Sequence, residues 1–511
     1  MTSGHLEVEA KYDVEETFVV PELGNVPGVG SVDAPVEHHL EAVYFDTADL
    51  RLLRARVTMR RRTGGPDAGW HLKLPAGSAR RELHAPLGRA TKKPPQALLG
   101  PVAGIARGEV PRPVATLHTR RVVTALRGAG GELLAEVADD TVTASVPPTG
   151  PGTPIQIRAW REVEVELGSG ADELAAEVGK RLVDAGARPS ASASKVGRVL
   201  GERLVAVSGP VPQGRTPRDA GEFVLRALAG QIAQLQAADV LLRTDQPDAV
   251  HQIRVAARRL RSTLTAFRRV LDRTATDPLR DELSWLGGQL ADARDAEVAL
   301  EHLRAVVAAQ PEELVLGPVA ARLQQNQAHE AQAGSDRARL TLSEPRYLAL
   351  LDALHGLLAD PPFTAGAGDR LRPVLRKATR RSVRKLRRRL RAARRAAHDH
   401  TDDHDDDHAA LHQVRKAAKQ LRYTAEIGRD ELASMTAVAR AAKKTQKVLG
   451  ALQDTVVTRE LCRRLGVVAN AGQENSFTYG RLHALEEARA TRAEQDFWAL
   501  LPEIRAALRA R

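Results

Sequence analysis

Two different hydrophobic periodicities divide this chain near residue 210. Before that point, short runs alternate apolar with charged residues between Gly and Pro clusters, as in Leu6–Tyr12, Val57–Arg62 and Glu162–Leu167. This alternation is typical of half-exposed β-strands. After it, apolar residues recur at helical spacing over long stretches such as Phe223–Leu242 and Val250–Leu271. The sequence therefore predicts an α+β chain of two domains, the first built on strands with flanking helices and the second entirely helical.

The boundary between the two domains is predicted within the segment Ser208–Asp219. Its sequence, SGPVPQGRTPRD, is rich in Pro and Gly, which disfavour both helix and strand. We expect a first domain over residues 1–207, a linker over 208–218 and a second domain over 219–511. A helix is also expected inside the first domain, over Asp172–Ala185. With 511 residues, the chain is long enough for two separate cores.

The charge balance favours anionic partners. Lys and Arg number 76 against 64 Asp and Glu, giving a formal net charge of +12. Nucleic acid, anionic lipid and polyphosphate all fit this charge. The single cysteine, Cys462, excludes a disulfide framework and agrees with a reducing compartment. Because no stretch reaches the roughly 18–20 apolar residues of a membrane span and the N-terminus lacks an apolar signal region, we expect a soluble cytoplasmic protein without a membrane partner.

Charged residues occupy alternate positions on several predicted strands. Glu7, Glu9 and Lys11 alternate with apolar residues, and so do the pair Arg60 and Arg62 and the triplet Glu162, Glu164 and Glu166. A charged solvent face is the ordinary explanation for any one such strand. Three carboxylates on one face repel one another, however, and need cations nearby, either metal ions or the basic strands. Carboxylates suit Mg²⁺ and Mn²⁺, and Arg and Lys suit phosphate oxygens, so the set favours a site that holds a metal and a phosphate chain together.

The segment HLEVEAKY resembles the E-x-E-x-K signature of the CYTH family, the triphosphate tunnel metalloenzymes. Further elements of that family follow in order over residues 1–205: Tyr44–Thr47, Arg60 and Arg62, Trp70–Pro75, Arg80–Glu82, Thr119–Arg121, Glu162–Leu167, and Ser194 with Lys195. The resemblance implies an eight-stranded antiparallel barrel that binds a triphosphate lengthwise in its tunnel. It also implies hydrolysis of the triphosphate with the help of Mg²⁺ or Mn²⁺.

The resemblance assigns roles to individual residues. The catalytic residues would be Glu7, Glu9 and Lys11. The metal ligands would be Glu7, Glu9, Glu162, Glu164 and Glu166. The triphosphate would be bound by Lys11, Arg60, Arg62, Lys73, Arg81, Arg121 and Lys195. Strand alternation lets only one member of each adjacent pair, Arg80/Arg81 and Arg120/Arg121, face inward; Glu136 and Asp140 are additional acidic candidates.

A repeated segment marks the second half of the chain. VHQIRVAARRLRSTL at Val250–Leu264 recurs as LHQVRKAAKQLRYTA at Leu411–Ala425, and LGGQLADARD and LGALQD follow in the same order. The repeat predicts two related helical bundles. Each copy carries a basic stripe at i, i+3, i+7 and i+10: His251, Arg254, Arg258 and Arg261, then His412, Arg415, Lys419 and Arg422. A solvated helix face is the alternative, but a duplicated stripe without acidic partners favours an anionic ligand.

These repeats resemble the CHAD family, the conserved histidine alpha-helical domains, over residues 219–511. The resemblance implies two bundles related by a pseudo-twofold axis and a basic surface that binds inorganic polyphosphate. For the two histidines, packing or hydrogen bonding is an alternative role. The segment His398–His408 has the residue types of a metal site, although a solvated loop is the interpretation we favour.

Together, these features favour an inorganic triphosphatase whose helical domain binds polyphosphate, located in the cytoplasm and on polyphosphate granules. The alternative is a non-catalytic polyphosphate-binding or targeting protein. A third interpretation, a nucleic-acid binder, would use the basic segment Arg372–Arg395. We do not expect nucleic acid as the partner, because no aromatic platform for bases accompanies the basic residues.

Overall fold

The computed structural model describes residues 3–7, 9–77, 79–88, 93–148, 154–168, 172–207, 216–398 and 404–509. For residues 3–7, 172–173, 206–207, 291–297 and 404–407, only the backbone is described. Most of the predicted linker and most of the segment His398–His408 therefore lie outside the described side chains. The chain divides into two compact units, Met1–Gly209 and Pro210–Arg511.

In its described residues, the first unit is built on one antiparallel sheet of eleven strands. The strands are β1 (Ser3–Glu7), β2 (Glu9–Val14), β3 (Ser31–Val32), β4 (Val36–Asp46), β5 (Thr58–Thr63), β6 (Gly69–Ala76), β7 (Ala79–Ala85), β8 (Arg112–Arg127), β9 (Leu133–Val146), β10 (Gln156–Leu167) and β11 (Arg188–Pro189). Their order in the sheet is β1-β7-β6-β5-β4-β8-β9-β10-β2-β11, with β3 beside β8. The helices that accompany the sheet in the part of the unit that the structure describes are α1 (Arg51–Arg54), α2 (Gln96–Ala106), α3 (Asp172–Asp184) and α4 (Lys195–Val207).

Alternation along β10 explains how the sheet separates its core from its charged site. Val163 and Val165 are fully buried and belong to one apolar cluster with Val178 and Leu182 of α3. Glu162 and Glu164 therefore project from the opposite face of β10. On that face α4 packs against the sheet through Val199, among others. The two faces of one strand thus serve a hydrophobic core and a charged site.

The predicted closed barrel of eight strands is not matched. The consecutive strands β1 and β2 have different neighbours, since β1 pairs with β7 and β2 pairs with β10. Among the described residues, no pairing between β1 and β2 closes the strand order into a ring, and the short strands β3 and β11 bring the number of strands to eleven. The difference arises because the N-terminal segment forms two described strands with different partners, residues 3–7 beside β7 and residues 9–14 beside β10. Glu7 lies opposite Arg80, whereas Glu9 lies opposite Glu166.

The second unit is mostly helical, as the sequence predicts. Its helices are α5 (Ala220–Arg243), α6 (Ala249–Ala266), α7 (Arg273–Gln289), α8 (Ala291–Ala308), α9 (Val319–Ser343), α10 (Pro345–Ala359), α11 (Leu371–Ala396), α12 (His404–Ile427), α13 (Ser434–Ala471) and α14 (Phe477–Arg509), with short 3-10 helices at Glu312–Leu314 and Ala365–Gly368. The carboxylate of Asp219 caps the start of α5 by accepting a hydrogen bond from the backbone N–H of Glu222 at 2.9 Å. Among the described helices, none has both the length and the apolar character needed to cross a membrane.

The two repeated segments fold as helices that share a core. Ile253 and Leu260 of α6 belong to the same buried apolar cluster as Val414 and Leu421 of α12. A smaller cluster joins α8, α9, α13 and α14, and it includes the buried Cys462. The repeats therefore contribute to one continuous core, and their pseudo-twofold relation stays a prediction.

Candidate active site

Three buried carboxylates meet on the charged face of the sheet. One oxygen of each of Asp140, Glu162 and Glu164 lies within 4.8 Å of the others. Asp140 and Glu162 are direct register partners on β9 and β10. Glu164 follows Glu162 by two residues and therefore faces the same side. We call these three residues the acidic cluster. Asp140 was only an additional candidate from sequence, because its register with Glu162 is a property of the folded sheet.

Lys195 places its ammonium group among the three carboxylates. Its Nζ lies 2.9 Å from Asp140, 2.6 Å from Glu162 and 2.7 Å from Glu164. Lys195 is the first residue of α4, whose start is capped by Ser194 Oγ accepting a hydrogen bond from the N–H of Gly197 at 3.0 Å. Burial opposes the charged form of Lys195, but the three carboxylates outweigh burial and raise its pKa. Lys195 therefore stays protonated at neutral pH. Its ammonium group contacts carboxylates in this structure, whereas the family resemblance implies that it binds the triphosphate.

Two further cations contact the acidic cluster. Arg121 donates to both oxygens of Asp140, at 2.8 and 2.6 Å, and to Glu164 at 2.5 Å. Lys11 forms an ion pair with Glu164, and its Nζ lies 3.1 Å from Glu9. Although burial disfavours the charged form of Glu164, the charges of Lys11, Lys195 and Arg121 hold the pKa of this carboxyl well below its usual range. Glu164 is therefore ionised at any physiological pH.

The donor set fits a hard divalent cation. Five carboxylates face four cations, leaving a local excess of one negative charge: Glu9, Asp13, Asp140, Glu162 and Glu164 against Lys11, Arg121, Lys195 and Arg198, whose guanidinium lies 2.6 Å from Asp13 and 3.9 Å from Glu162. Glu162 Oε1 is buried and accepts no hydrogen bond within the described part of the chain, although the Lys195 ammonium lies 2.6 Å away. Carboxylate oxygens are the ligands that Mg²⁺ and Mn²⁺ prefer. Asp140, Glu162 and Glu164 would hold such an ion.

A basic group lies near the acidic cluster. Arg60 and Arg62 on β5 are close enough to Arg121 for their charges to interact. For Arg62, burial together with the like charges of Arg60 and Arg121 lowers the pKa to about 9. Arg62 pairs with Asp67. The Nε atoms of Arg60 and Arg62 are buried without a hydrogen-bond partner among the described residues. Such donors suit an anionic ligand with several oxygens, such as a phosphate chain.

His71 and Glu82 organise this basic group, and neither was a site candidate from sequence. Glu82 lies 3.6 Å from Nζ of Lys73 and 3.9 Å from Arg60. His71 Nδ1 lies 2.6 Å from Glu82 Oε1, and His71 Nε2 lies 3.0 Å from the carbonyl oxygen of Asp67. Burial lowers the pKa of His71 to about 4, and the charge of Arg60 contributes to this shift. His71 could have been found from its position two residues before Lys73, but the pairing of Glu82 with Lys73 required the register of β6 and β7.

The structure decides which member of each adjacent arginine pair faces the site. Arg121 binds the acidic cluster, while Arg120 is exposed on the other face and donates to Glu37 at 2.6 Å. On β7, strand alternation places Arg80 on the face of Glu82 and Arg81 on the opposite face. The predicted placement of Arg81 in the site is thus contradicted. Arg80 donates to the carbonyl oxygen of Ala193 at 3.0 Å.

The remaining predicted metal ligands lie at the N-terminal segment and at the end of β10. The backbone of Glu7 is paired with Arg80, but its side chain lies outside the described residues. Glu9 contacts Lys11, as given above, and Glu9 and Glu166 are register partners. Glu166 is also opposite Glu136. The structure thus brings Glu9 next to the cluster through Lys11, but Glu9 and Glu166 are not members of the group of three within the described side chains.

The predicted basic stripes of the helical unit lie on α6 and α12. His251 and Arg261 are exposed, whereas Arg254, Arg258, Arg415 and Lys419 are half-buried. His412 Nδ1 lies 2.6 Å from the side-chain oxygen of Gln453. Arg422 donates to Glu426 at 2.6 Å. His412 and Arg422 are thus engaged within the protein, so the second stripe is less available to a ligand than its sequence indicates.

A cavity of about 1100 Å³ lies beside α11. We call it the basic cavity, and the cations that line it are Arg268, Arg381, Arg384, Lys385, Arg387, Arg388, Arg391, Arg505 and Arg509. No acidic residue is among those that line it in the described part of the chain. Burial and the neighbouring arginines lower the pKa of both Arg381 and Lys385. A polyanion in the basic cavity would relieve this repulsion.

Comparison with known proteins agrees with both resemblances. The CYTH domain model matches residues 5–196, and the CHAD domain model matches residues 226–463. The uncharacterized proteins MT2285 and Rv2226 of Mycobacterium tuberculosis are 39% identical over 520 residues, which cover 99% of this chain and 97% of each relative.

Two solved structures are similar to the second half of the chain. The CHAD domain from the plant Ricinus communis is 26% identical, covers 59% of this chain and 96% of its own, and has a TM-score of 0.43. PptA from Streptomyces chartreusis is 21% identical, covers 56% of this chain and 99% of its own, and has a TM-score of 0.44. Both TM-scores are below 0.5, so the assignment rests on the family models and the full-length relatives. The chain belongs to the family of proteins that join an N-terminal CYTH domain to a C-terminal CHAD domain.

Proposed function

We propose that the first unit hydrolyses inorganic triphosphate, or the ends of short polyphosphate, with a divalent metal. The observation that carries the proposal is the contact of Arg121 with both Asp140 and Glu164, since it joins the acidic cluster to the basic group on one face of one sheet. Such a face can hold a metal and a phosphate chain side by side. The CYTH domain supports a phosphoryl-transfer or hydrolase activity, and the acidic cluster supports its dependence on metal.

The basic and the acidic residues of the site have different roles. Arg60 and Arg62 offer phosphate oxygens their Nε donors, which have no hydrogen-bond partner within the described ranges, and Lys73 and Arg121 add positive charge. A divalent metal, when bound, would supply Lewis acidity that neutralises phosphate charge and acidifies water. Because the pKa of Glu164 is held well below its usual range, Glu164 is a weak base and serves to hold positive charge. Another carboxylate would then accept the proton, and the family resemblance implies Glu7 or Glu9 for this role.

For the second unit, we propose binding of inorganic polyphosphate. The basic cavity supports this role, because its lining combines nine cations with no described acidic residue. The basic stripe on α6 and the basic cavity are linked by charge interactions through Arg280. Arg261 interacts with Arg280, and Arg280 interacts with Lys385 of the cavity. A flexible polyanion could neutralise the cavity and the first stripe together.

A non-catalytic polyphosphate-binding protein is the second candidate. One observation favours it, namely that the ammonium of Lys195 already contacts all three carboxylates of the acidic cluster. A metal would have to compete with, or displace, this ammonium group. In the non-catalytic case the first unit would act as a clamp for phosphate chains.

The deciding experiment measures phosphate release from inorganic triphosphate, ATP, thiamine triphosphate and long-chain polyphosphate. Each substrate is tested with Mg²⁺, with Mn²⁺ and with EDTA, for the wild type and for Glu162→Gln/Glu164→Gln. The matched control is Glu37→Gln, which removes an exposed carboxylate that binds only Arg120 and His39 in the described structure. Metal-dependent turnover of triphosphate that is lost only in the double variant would support the enzyme. Absence of turnover with every metal, combined with tight polyphosphate binding, would support the clamp.

A further inference from the structure

Trp160 and Glu162 are joined by a hydrogen bond on the charged face of β10. The indole Nε1 of Trp160 donates to Oε2 of Glu162 at 2.5 Å. The two residues are two positions apart on the strand, so their side chains project from the same face. Binding of phosphate does not require a tryptophan at this position. The contact of Trp160 with a carboxylate of the acidic cluster therefore indicates a role for Trp160 in the cluster.

The bond with Trp160 makes the two oxygens of Glu162 inequivalent. Oε2 accepts the indole N–H, whereas Oε1 accepts no hydrogen bond among the described residues although it is buried. Oε1 lies 2.6 Å from Nζ of Lys195, so it is the oxygen on the side of the acidic cluster. A carboxylate held through one oxygen presents the other in a fixed direction, which is what a metal ligand needs.

Trp160 is itself held in place by α4. The guanidinium of Arg198 lies 5.1 Å from the centre of the indole ring, within the range of a cation–π interaction. The same guanidinium donates to Asp13 at 2.6 Å, and Asp13 is the register partner of Glu162. Arg198 follows Lys195 by three residues and thus lies on the same side of α4. One turn of helix therefore supplies both the cation inside the cluster and the cation that supports Trp160.

We propose that Trp160 is a positioning residue for the metal ligand Glu162 and that its indole senses metal binding at the acidic cluster. This inference rests on the proposed function in one respect, that a divalent metal binds there. Without the indole N–H, Glu162 would lose its only described hydrogen bond, and only its ion pairs with Lys195 at 2.6 Å and with Arg198 at 3.9 Å would still orient its carboxylate. Loss of a residue that orients a ligand typically weakens metal affinity by about 10- to 100-fold.

The test compares Mg²⁺ and Mn²⁺ binding to the full chain by titration calorimetry. Trp160→Phe is expected to raise the Kd for both metals about 10-fold or more. The matched control is Trp70→Phe, which removes an indole from the opposite face of the same sheet and should leave the Kd unchanged. Trp160→Phe with a wild-type Kd would overturn the inference.

Fluorescence provides a second readout that does not depend on the folding of Trp160→Phe. The chain has four tryptophans. Trp285→Phe/Trp498→Phe removes the two in the helical unit, and adding Trp70→Phe leaves Trp160 alone. Mg²⁺ should change the emission of Trp160 saturably, with the Kd found by calorimetry, and an emission that does not respond to bound Mg²⁺ would overturn the inference. If calorimetry shows no metal binding to the wild type, both the proposed metal-dependent function and the inference about Trp160 are wrong. If the metal binds but Trp160 has no role in its binding, only the inference about Trp160 is wrong.

Discussion

The imidazole of His71 lies 2.6 Å from the carboxylate of Glu82, and both side chains are buried. Glu82 is the carboxylate that contacts Lys73 and Arg60, the two phosphate-binding candidates. His71 therefore stabilises the positions of both through its contact with Glu82. Although burial alone would raise the pKa of Glu82, the hydrogen bond with His71 and the charges of Lys73 and Arg60 hold it well below its usual range. Glu82 therefore remains charged and depends on these partners.

His71→Phe should loosen this arrangement. It leaves Glu82 with one fewer partner in a buried position, and we expect a loss of about 1–3 kcal/mol in the free energy of unfolding. The KM for triphosphate should rise more than kcat falls, because phosphate-binding groups lose their orientation. Urea denaturation and steady-state kinetics measure the two effects. His118→Phe, on the exposed face of β8, is the control, and an equal rise in KM there would contradict the prediction.

Arg80 and Arg81 should differ strongly as alanine variants. Arg80 shares the face of Glu82, and Arg81 faces away from it. If Arg80 contacts the phosphate chain, Arg80→Ala should raise the KM for triphosphate about tenfold or more, whereas Arg81→Ala should leave it nearly unchanged. The pair is internally controlled, since both variants remove one arginine from the same strand. A larger effect of Arg81→Ala would restore the assignment made from sequence.

The contribution of Asp239 to the stability of the helical unit should fall as the pH rises from about 4 to about 6. Burial raises the pKa of Asp239 from 3.8 to about 6, even though Arg243 lies 2.6 Å away. A carboxyl whose folded pKa is above its unfolded pKa binds its proton more tightly in the folded state. Its favourable contribution is therefore complete below pH 4 and is lost as the pH approaches 6. The difference corresponds to about 3 kcal/mol.

Urea denaturation at a series of pH values, followed by helical circular dichroism, measures this slope. Asp239→Asn removes the titrating group and should remove the slope, whatever its effect on the absolute stability. Asp352→Asn on α10 is a control that should retain it. An unchanged slope in Asp239→Asn would assign the pH dependence to another group.

The basic cavity should account for a large share of polyphosphate binding. Arg381→Gln/Lys385→Gln/Arg388→Gln removes three of its cations, and the affinity for long-chain polyphosphate should fall with a shallower dependence on salt. Arg304→Gln/Arg322→Gln/Arg463→Gln removes the same charge from α8, α9 and α13, away from the cavity, and should have little effect. Fluorescence anisotropy at several salt concentrations measures both. Equal losses would show that net charge alone attracts the ligand, and preference for duplex DNA at matched salt would favour a nucleic-acid binder.

The sequence alone determined the division into a sheet unit and a helical unit, and it carried the two family resemblances that the comparisons confirm. These features are encoded locally. A period of two along β10 fixes which residues share a face, so the sequence by itself places Glu162 and Glu164 on the same side of their strand. The helical repeat likewise located α6 and α12, because its signal lies within each segment.

Only the tertiary structure decided how separate segments meet. The register between strands selected Arg80 over Arg81 and placed Glu82 beside Lys73, and neither choice is visible in a single strand. Packing of α4 set Lys195 among the carboxylates, and the helices around α11 formed the basic cavity. The two N-terminal strands pair with different neighbours, β1 with β7 and β2 with β10, and with the short strands β3 and β11 the described residues form a sheet of eleven strands where a barrel of eight was predicted. Strand register and helix packing depend on contacts between residues far apart in the chain. A local sequence pattern does not specify these contacts.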